Sequence, residues 1–345
     1  MNRVDARATL MYSEAAEASA VVRAQFQRNR DGVAKLGRAI AAFAPRAVVT
    51  CARGSSDHAA TYAKYLIETR TGLLTASAAP SVASVYGARQ DLHECLFVAI
   101  SQSGRSPDLL ATARSAKAAG AMVLALVNDK DSPLAGMADH ALALHAGKER
   151  SVAATKSYIA SLAAIAHFVA AWMDDEALCA ELQRAPELLA RAWQLDWQPA
   201  VDKLRDGGHL FVIARGIGLA VAQEAALKCK ETCGLHAEAF SGAEVMHGPQ
   251  ALLDEGFPAL LFVQDDETRE GMVALANALV ARGADVMVAG ASIPGAMILP
   301  TIDSPAALQP LLLAQGFYKF ANALAISRGR DPDNPPHLRK VTETR

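Results

Sequence analysis

Two short loops of this 345-residue chain carry hydroxyl groups where a polypeptide can hold an anion. The first, Arg53-Gly54-Ser55-Ser56-Asp57, follows an apolar run and precedes a helical stretch. Gly54 permits a tight turn. Ser55 and Ser56 then stand at a helix start, where free N–H groups and the helix dipole favour negative charge. The same residues also suit ordinary N-capping, so this loop alone leaves both readings open. The second loop, Ser101-Gln102-Ser103-Gly104-Arg105-Ser106-Pro107-Asp108, is sharper. Ser106 reads as an N-cap with Pro107 at the first helical position. That leaves Ser101, Gln102 and Ser103 to donate hydrogen bonds above a strand end. Ligands of open α/β sheets bind at the carboxyl ends of strands, so two such loops on neighbouring strands form one polar pocket suited to phosphate. No GxxxxGK[ST] occurs, which excludes a nucleotide P-loop. Asp108 suits the helix dipole but repels a phosphate unless it points away.

A second constellation lies further along. Glu224, Lys228 and Glu231 stand four and three residues apart, on one helical face. A salt-bridged surface stripe would look the same. Against that, the flanking residues Ala220, Val221, Ala222, Ala225, Ala226 and Leu227 are apolar. The stretch from His236 to His247-Gly-Pro adds two histidines. No HExxH or other tight ligand spacing appears, so the metal reading is weak.

The elements that must position these residues repeat along the chain. Ala52-Arg53-Gly54 recurs as Ala214-Arg215-Gly216, Leu96-Phe97-Val98 as Leu261-Phe262-Val263, and Gly120-Ala-Met-Val123 as Gly283-Ala-Asp-Val286. The order and nearly constant spacing indicate a duplicated unit. Val48–Cys51, Leu96–Ile100 and Met122–Val127 are short apolar runs of the kind found in strands covered on both faces. His58–Arg70 and Leu109–Ala119 are helical in composition, with Gly72 and Gly120 as stops. The alternation predicts an α/β fold: two doubly wound parallel-sheet units in tandem behind a helical N-terminal leader. The expected divisions are a leader over 1–44, a first unit over 45–175, a helical linker over 176–199, a second unit over 200–330 and a tail over 331–345. Where the first unit has Ser101-Gln102-Ser103-Gly104, the second has Gln264-Asp265-Asp266-Glu267. Three carboxylates cannot host a phosphate, so the two units have different tasks.

Composition narrows the class. A net charge of −2 points away from nucleic acid and anionic membranes. The five cysteines are odd in number and form no CxxC, which fits a reducing compartment. The N-terminus has no signal-peptide pattern. The apolar stretch Ser157–Met173 falls short of the roughly 20 residues of a membrane span and reads as a buried helix. The expected location is the cytoplasm.

The Ser-Gln-Ser-Gly loop, Val152-Ala-Ala-Thr-Lys156, Ala226-Leu-Lys-Cys-Lys-Glu231, His236-Ala-Glu-Ala and His247-Gly-Pro, in this order, resemble the sugar isomerase (SIS) domain family. Within it they resemble the isomerase half of glutamine–fructose-6-phosphate aminotransferase and the stand-alone type II glucosamine-6-phosphate deaminases. The resemblance implies phosphate contacts from Ser55, Ser56, Ser101, Gln102, Ser103 and Ser106. It places Arg53, Gly54, Val152 and Ala154 at the substrate. It makes Glu231 the base moving a proton between C1 and C2, with Lys228 beside it. It makes His247 the ring-opening residue, reaching from a second subunit of a homodimer, and Lys340 the lysine meeting the sugar's carbonyl carbon. The proton-transfer chemistry that the resemblance implies needs no cofactor. Arg53 and Ala154 depart from the Cys and Ser of the synthases, which alters contacts to sugar hydroxyls.

Residue 2 is Asn rather than a nucleophilic Cys, and a glutaminase half is missing, so the expected direction is deamination. Glucosamine 6-phosphate would give fructose 6-phosphate and ammonia. A fructosamine-6-phosphate deglycase, another phosphosugar isomerase and a non-catalytic sugar-phosphate sensor stay open. The sensor would need the serine loops but neither Glu231 nor His247.

Overall fold

The computed structural model describes residues 5–340. In chain order the elements are α1 (Leu10–Ala16), α2 (Ala18–Phe43), β1 (Ala47–Cys51), α3 (Ser55–Thr71), β2 (Thr75–Ser77), α4 (Pro80–Ser84), β3 (Cys95–Ser101), α5 (Pro107–Ala118), β4 (Met122–Val127), α6 (Pro133–Met137), β5 (His140–Ala143), α7 (Lys156–Trp172) and α8 (Glu176–Ala192). They continue with α9 (Gln198–Leu204), β6 (His209–Ala214), α10 (Leu219–Cys233), β7 (His236–Ser241), α11 (Gly242–Val245), β8 (Pro258–Phe262), α12 (Arg269–Ala281), β9 (Asp285–Ala289), β10 (Met297–Leu299) and α13 (Gln309–Ser327). The expected α/β tandem is therefore present, with helices before the first strand.

Two five-stranded parallel sheets organise these elements. The first has the order β2-β1-β3-β4-β5 and the second β10-β9-β8-β6-β7. Read from the other edge, the second is β7-β6-β8-β9-β10, the same winding as the first. In each sheet the chain leaves its first strand toward one edge and returns to build toward the other. The switch falls between β1 and β3 in one sheet and between β6 and β8 in the other, the place where a crevice opens at the strands' carboxyl ends.

The chain divides into two compact units. One comprises Ala20–Glu149 and Lys156–Pro186 and holds the first sheet. The other comprises the described chain up to Ser19, Arg150–Thr155 and Glu187–Lys340, and holds the second sheet. The division does not follow the linear one expected from composition. Short polar ties explain the difference. In the second unit Asp333 caps α1, its carboxylate accepting the N–H groups of Leu10 and Met11 at 2.7 Å each. Thr9 donates to Asn322 on α13 at 2.7 Å, and Gln315 of α13 donates to the Ala15 carbonyl at 3.0 Å.

In the first unit all seven residues of β3 are buried, which explains its unbroken apolar sequence. Phe97, Ala99, Val123, Val127, Leu109 and Ala113 pack into one core beside Cys51. Burial, with the nearby Asp108 carboxylate, pushes the Cys51 thiol up to about 12, so it is packing rather than a nucleophile. α7 is buried along nearly its whole length. Gly37 of α2 meets it so closely that a β-carbon there would strike the Ala171 carbonyl. No helix among the described residues is long and apolar enough to cross a membrane.

Candidate active site

The two hydroxyl-bearing loops lie at the switch point of the first sheet. β1 and β3 are paired in parallel register, Thr50 against Val98 and Cys51 against Ala99, so the loops that follow them emerge side by side. The first loop differs from a serine-capped start. α3 begins at Ser55, three residues earlier than expected, because Gly54 is the cap, with φ 54° and ψ −133° and no side-chain bond. That backbone shape is open to glycine. Both serines therefore sit inside the first turn, whose N–H groups lack intrahelical acceptors.

In the second loop Ser106 is the N-cap and Pro107 opens α5, as the spacing predicts, yet the Ser106 side chain makes no capping bond. Ser101 Oγ accepts the Gly104 N–H at 3.0 Å and so shapes the turn, while Ser103 Oγ accepts from Arg105 at 3.4 Å. Gln102 donates through Nε2 to Glu149 Oε2 at 2.8 Å. The buried Glu149 also accepts from Ser157 Oγ at 2.6 Å, tying the loop to the start of α7. Glu149 had no signal in the sequence. It sits in the charged run Lys148-Glu149-Arg150, which reads as a solvated turn.

The tension over Asp108 is resolved. Its carboxylate is buried, 1% exposed, and Oδ2 accepts both Arg53 Nη2 at 2.8 Å and Arg53 Nε at 3.1 Å. Arg53 therefore spends part of its guanidinium on neutralising the Asp108 carboxylate beside the serine loops.

The switch point of the second sheet is built differently. Gln264, just after β8, is fully buried, and its side chain fills the space over Gly218, the residue that opens α10. Asp266 is turned into its own loop, accepting from the Thr268 N–H at 2.8 Å. A packed side chain and acidic neighbours leave no anion cradle there.

The charged line on α10 is not a surface stripe. Glu224 and Lys228 side chains are each 1% exposed and Glu231 is 22% exposed. Lys228 Nζ lies 2.5 Å from Glu231 Oε2 and 3.4 Å from Glu224 Oε1. Burial alone would push the Lys228 pKa down; the two carboxylates more than offset it and hold the ammonium above the ordinary lysine value. Lys228 is thus a fixed cation, and Glu231 is the member of the trio that reaches solvent.

The loop Arg150–Thr155 belongs to the same unit as α10. Glu14 of α1 accepts the N–H groups of Arg150 at 2.5 Å and Ser151 at 3.1 Å. The Asp333 carbonyl accepts from Val152 at 3.2 Å, and Lys340 Nζ donates to the Ser151 carbonyl at 2.7 Å. The structure so brings Lys340 to the loop that carries Val152 and Ala154, both half-buried. His247 is exposed, on the turn after α11, between the exposed Met246 and Gly248. Among the described residues no cluster of His, Cys, Asp and Glu could hold a metal ion.

This geometry agrees with the comparisons. Residues 44–171 and 203–290 match the SIS domain. The chain belongs to the SIS domain family. The first SIS segment spans the whole first sheet, and the second spans β6 to β9 of the other. Over 352 aligned residues it is 32% identical to the glutamine–fructose-6-phosphate aminotransferase of Thermococcus kodakarensis, covering 96% of this chain and 57% of that protein. The chain thus spans little more than half the length of that relative. A structure from Silicibacter pomeroyi DSS-3, provisionally named a phosphosugar isomerase, is 43% identical with a TM-score of 0.91, covering 94% of this SIS chain and all of the other. The C-terminal domain of the Francisella tularensis glucosamine-fructose-6-phosphate aminotransferase is 25% identical with a TM-score of 0.87, covering 95% and 98%.

Proposed function

We propose that this SIS protein is a phosphosugar isomerase whose substrate is an amino-sugar 6-phosphate, converting glucosamine 6-phosphate and water to fructose 6-phosphate and ammonia. The observation that carries the reading is the buried Glu224–Lys228–Glu231 line, with a carboxylate at its solvent end and a fixed cation behind it. A protein that only sensed sugar phosphates would have no use for it.

The phosphate is taken by the first turns of α3 and α5, through N–H groups and the hydroxyls of Ser55, Ser56, Ser101, Ser103 and Ser106 with the Gln102 side chain. The sugar ring opens with His247 as the proton carrier, exposing an aldehyde at C1 next to the amine-bearing C2. Glu231 removes the C2 proton, and the electrons move toward the carbonyl oxygen, where Lys340 meets the developing charge. Return of the proton to C1 leaves an imine at C2, and water hydrolyses it to the ketone and ammonia. Val152 and Ala154 line the sugar. The exposure of His247, with the apolar Met246 and Leu252 beside it, supports service to a neighbouring subunit in a homodimer.

Two assays test this: ammonia release from glucosamine 6-phosphate, and solvent deuterium entering C1 of bound fructose 6-phosphate. Glu231→Gln should retain substrate binding and lose 10²–10⁴-fold in turnover, about 3–5 kcal/mol of barrier. Binding of a hexose phosphate without any proton exchange in the wild type would reject the enzyme. Release of an amino acid from fructosamine 6-phosphate adducts, with none of the ammonia, would reassign it as a deglycase.

A further inference from the structure

We propose that Tyr318 is a positioning residue for the base: by holding Glu224, its hydroxyl leaves the Lys228 ammonium committed to Glu231. The inference rests on the reading of Glu231 as base. Tyr318 comes from α13, is fully buried, and donates to Glu224 Oε1 at 2.9 Å. The same Oε1 is the atom 3.4 Å from Lys228 Nζ, while Glu231 Oε2 is 2.5 Å from it. Two carboxylates therefore compete for one ammonium, and the competition is uneven. In a poorly solvated interior such competition is strong. A hydroxyl donated to Glu224 disperses part of that carboxylate's charge, so Lys228 sits closer to Glu231. Without the hydroxyl the ammonium is drawn toward Glu224. Glu231 then faces a buried carboxylate with less compensation and binds a proton more tightly.

The surroundings add few competing charges. The carboxylates that raise the Lys228 pKa are those of Glu224 and Glu231. α10 packs against α13, β6 and β7. On α13, Lys319 donates to the carbonyls of Trp193 and Leu195. On β7 the buried residue is Ala237, while His236 and Glu238 are exposed. The buried residues of β6 are apolar, and its His209 is exposed. On α10 itself Lys230 is exposed and the thiols of Cys229 and Cys233 are buried. At the helix end Arg328 donates to the Cys233 carbonyl, and the Arg330 guanidinium covers Gly234.

Tyr318→Phe removes one oxygen from a packed ring. We expect the acid limb of kcat/KM to move up by about one pH unit, with the plateau changed less than about twofold. Glu224→Gln removes the competing charge and should move the same limb down. A purely structural role would lower the melting temperature of both variants and leave both limbs in place. Carboxyl ¹³C NMR titration of Glu231, assigned by loss of its signal in Glu231→Gln, reads the same shifts without turnover. It therefore decides the inference even if the wild type exchanges no proton, an outcome that sinks the base reading alone. A Glu231 that titrates identically with and without the Tyr318 hydroxyl overturns the inference.

Discussion

Arg53 and the buried Asp108 form an ion pair beside the serine loops. Asp108 is too deep to be solvated, and Arg53 is the cation that answers it. Arg53→Met should weaken inorganic phosphate binding about tenfold, 1.4 kcal/mol, because an uncompensated carboxylate then faces the cradle. Adding Asp108→Asn should recover most of that loss, and calorimetry of the single and double variants checks both. If the double variant binds as poorly as the single one, Arg53 acts by touching phosphate rather than by masking Asp108. At this scale the sequence was readable where chemistry and spacing coincide. The Ser101–Ser106 loop and the Glu224, Lys228, Glu231 spacing are local patterns. Glu149, Glu14 and Tyr318 left no such trace, because each acts on a residue far along the chain. Their partners are chosen by packing, which no local window contains.

Helix α7 carries a pH sensitivity unrelated to the chemistry. His167 meets Phe26 of α2 edge-on, ring centroids 4.9 Å apart, and its Nδ1 is buried with no hydrogen-bond partner. Burial lowers its pKa to about 4. A folded histidine with a depressed pKa resists the proton that the unfolded chain accepts near pH 6.5. Stability is therefore full above about pH 6.5 and falls as pH drops toward 4. At pH 5 the loss is about 2 kcal/mol. His167→Leu should flatten the melting temperature between pH 7 and 5, and an equal slope in the variant would place the acid sensitivity elsewhere. Strand positions were legible to within a residue or two, since β3 and β4 are unbroken apolar runs. Helix starts were less so. α3 begins at Ser55 rather than His58 because a cap is a matter of backbone angles at Gly54, not of composition.

For the whole molecule, the tandem winding was legible because the same apolar runs recur in order. The grouping of segments into units was not. Glu14 and Asp333 tie distant segments together, Glu14 across 136 residues to Arg150 and Asp333 across 323 to Leu10, and the tail beyond Lys340 lies outside the described residues. The proposed homodimer has its own test. Mixing Glu231→Gln with His247→Ala under subunit exchange should restore part of the activity, since one kind of site would then hold both intact groups. Proven heterodimers without rescue would put both residues in one subunit's site. The ties of α1 have a further consequence for synthesis. Thr9 and Asn322 lie 313 residues apart, and Ala15 waits on Gln315. A ribosome delivers α1 well before α13. The unit bearing α10 therefore cannot close until α13 has emerged, 300 residues after the Ala15 that its Gln315 meets. The unit built on Ala20–Glu149 and Lys156–Pro186 carries no such delay, so the nascent protein should fold its serine loops before the helix that bears Glu231.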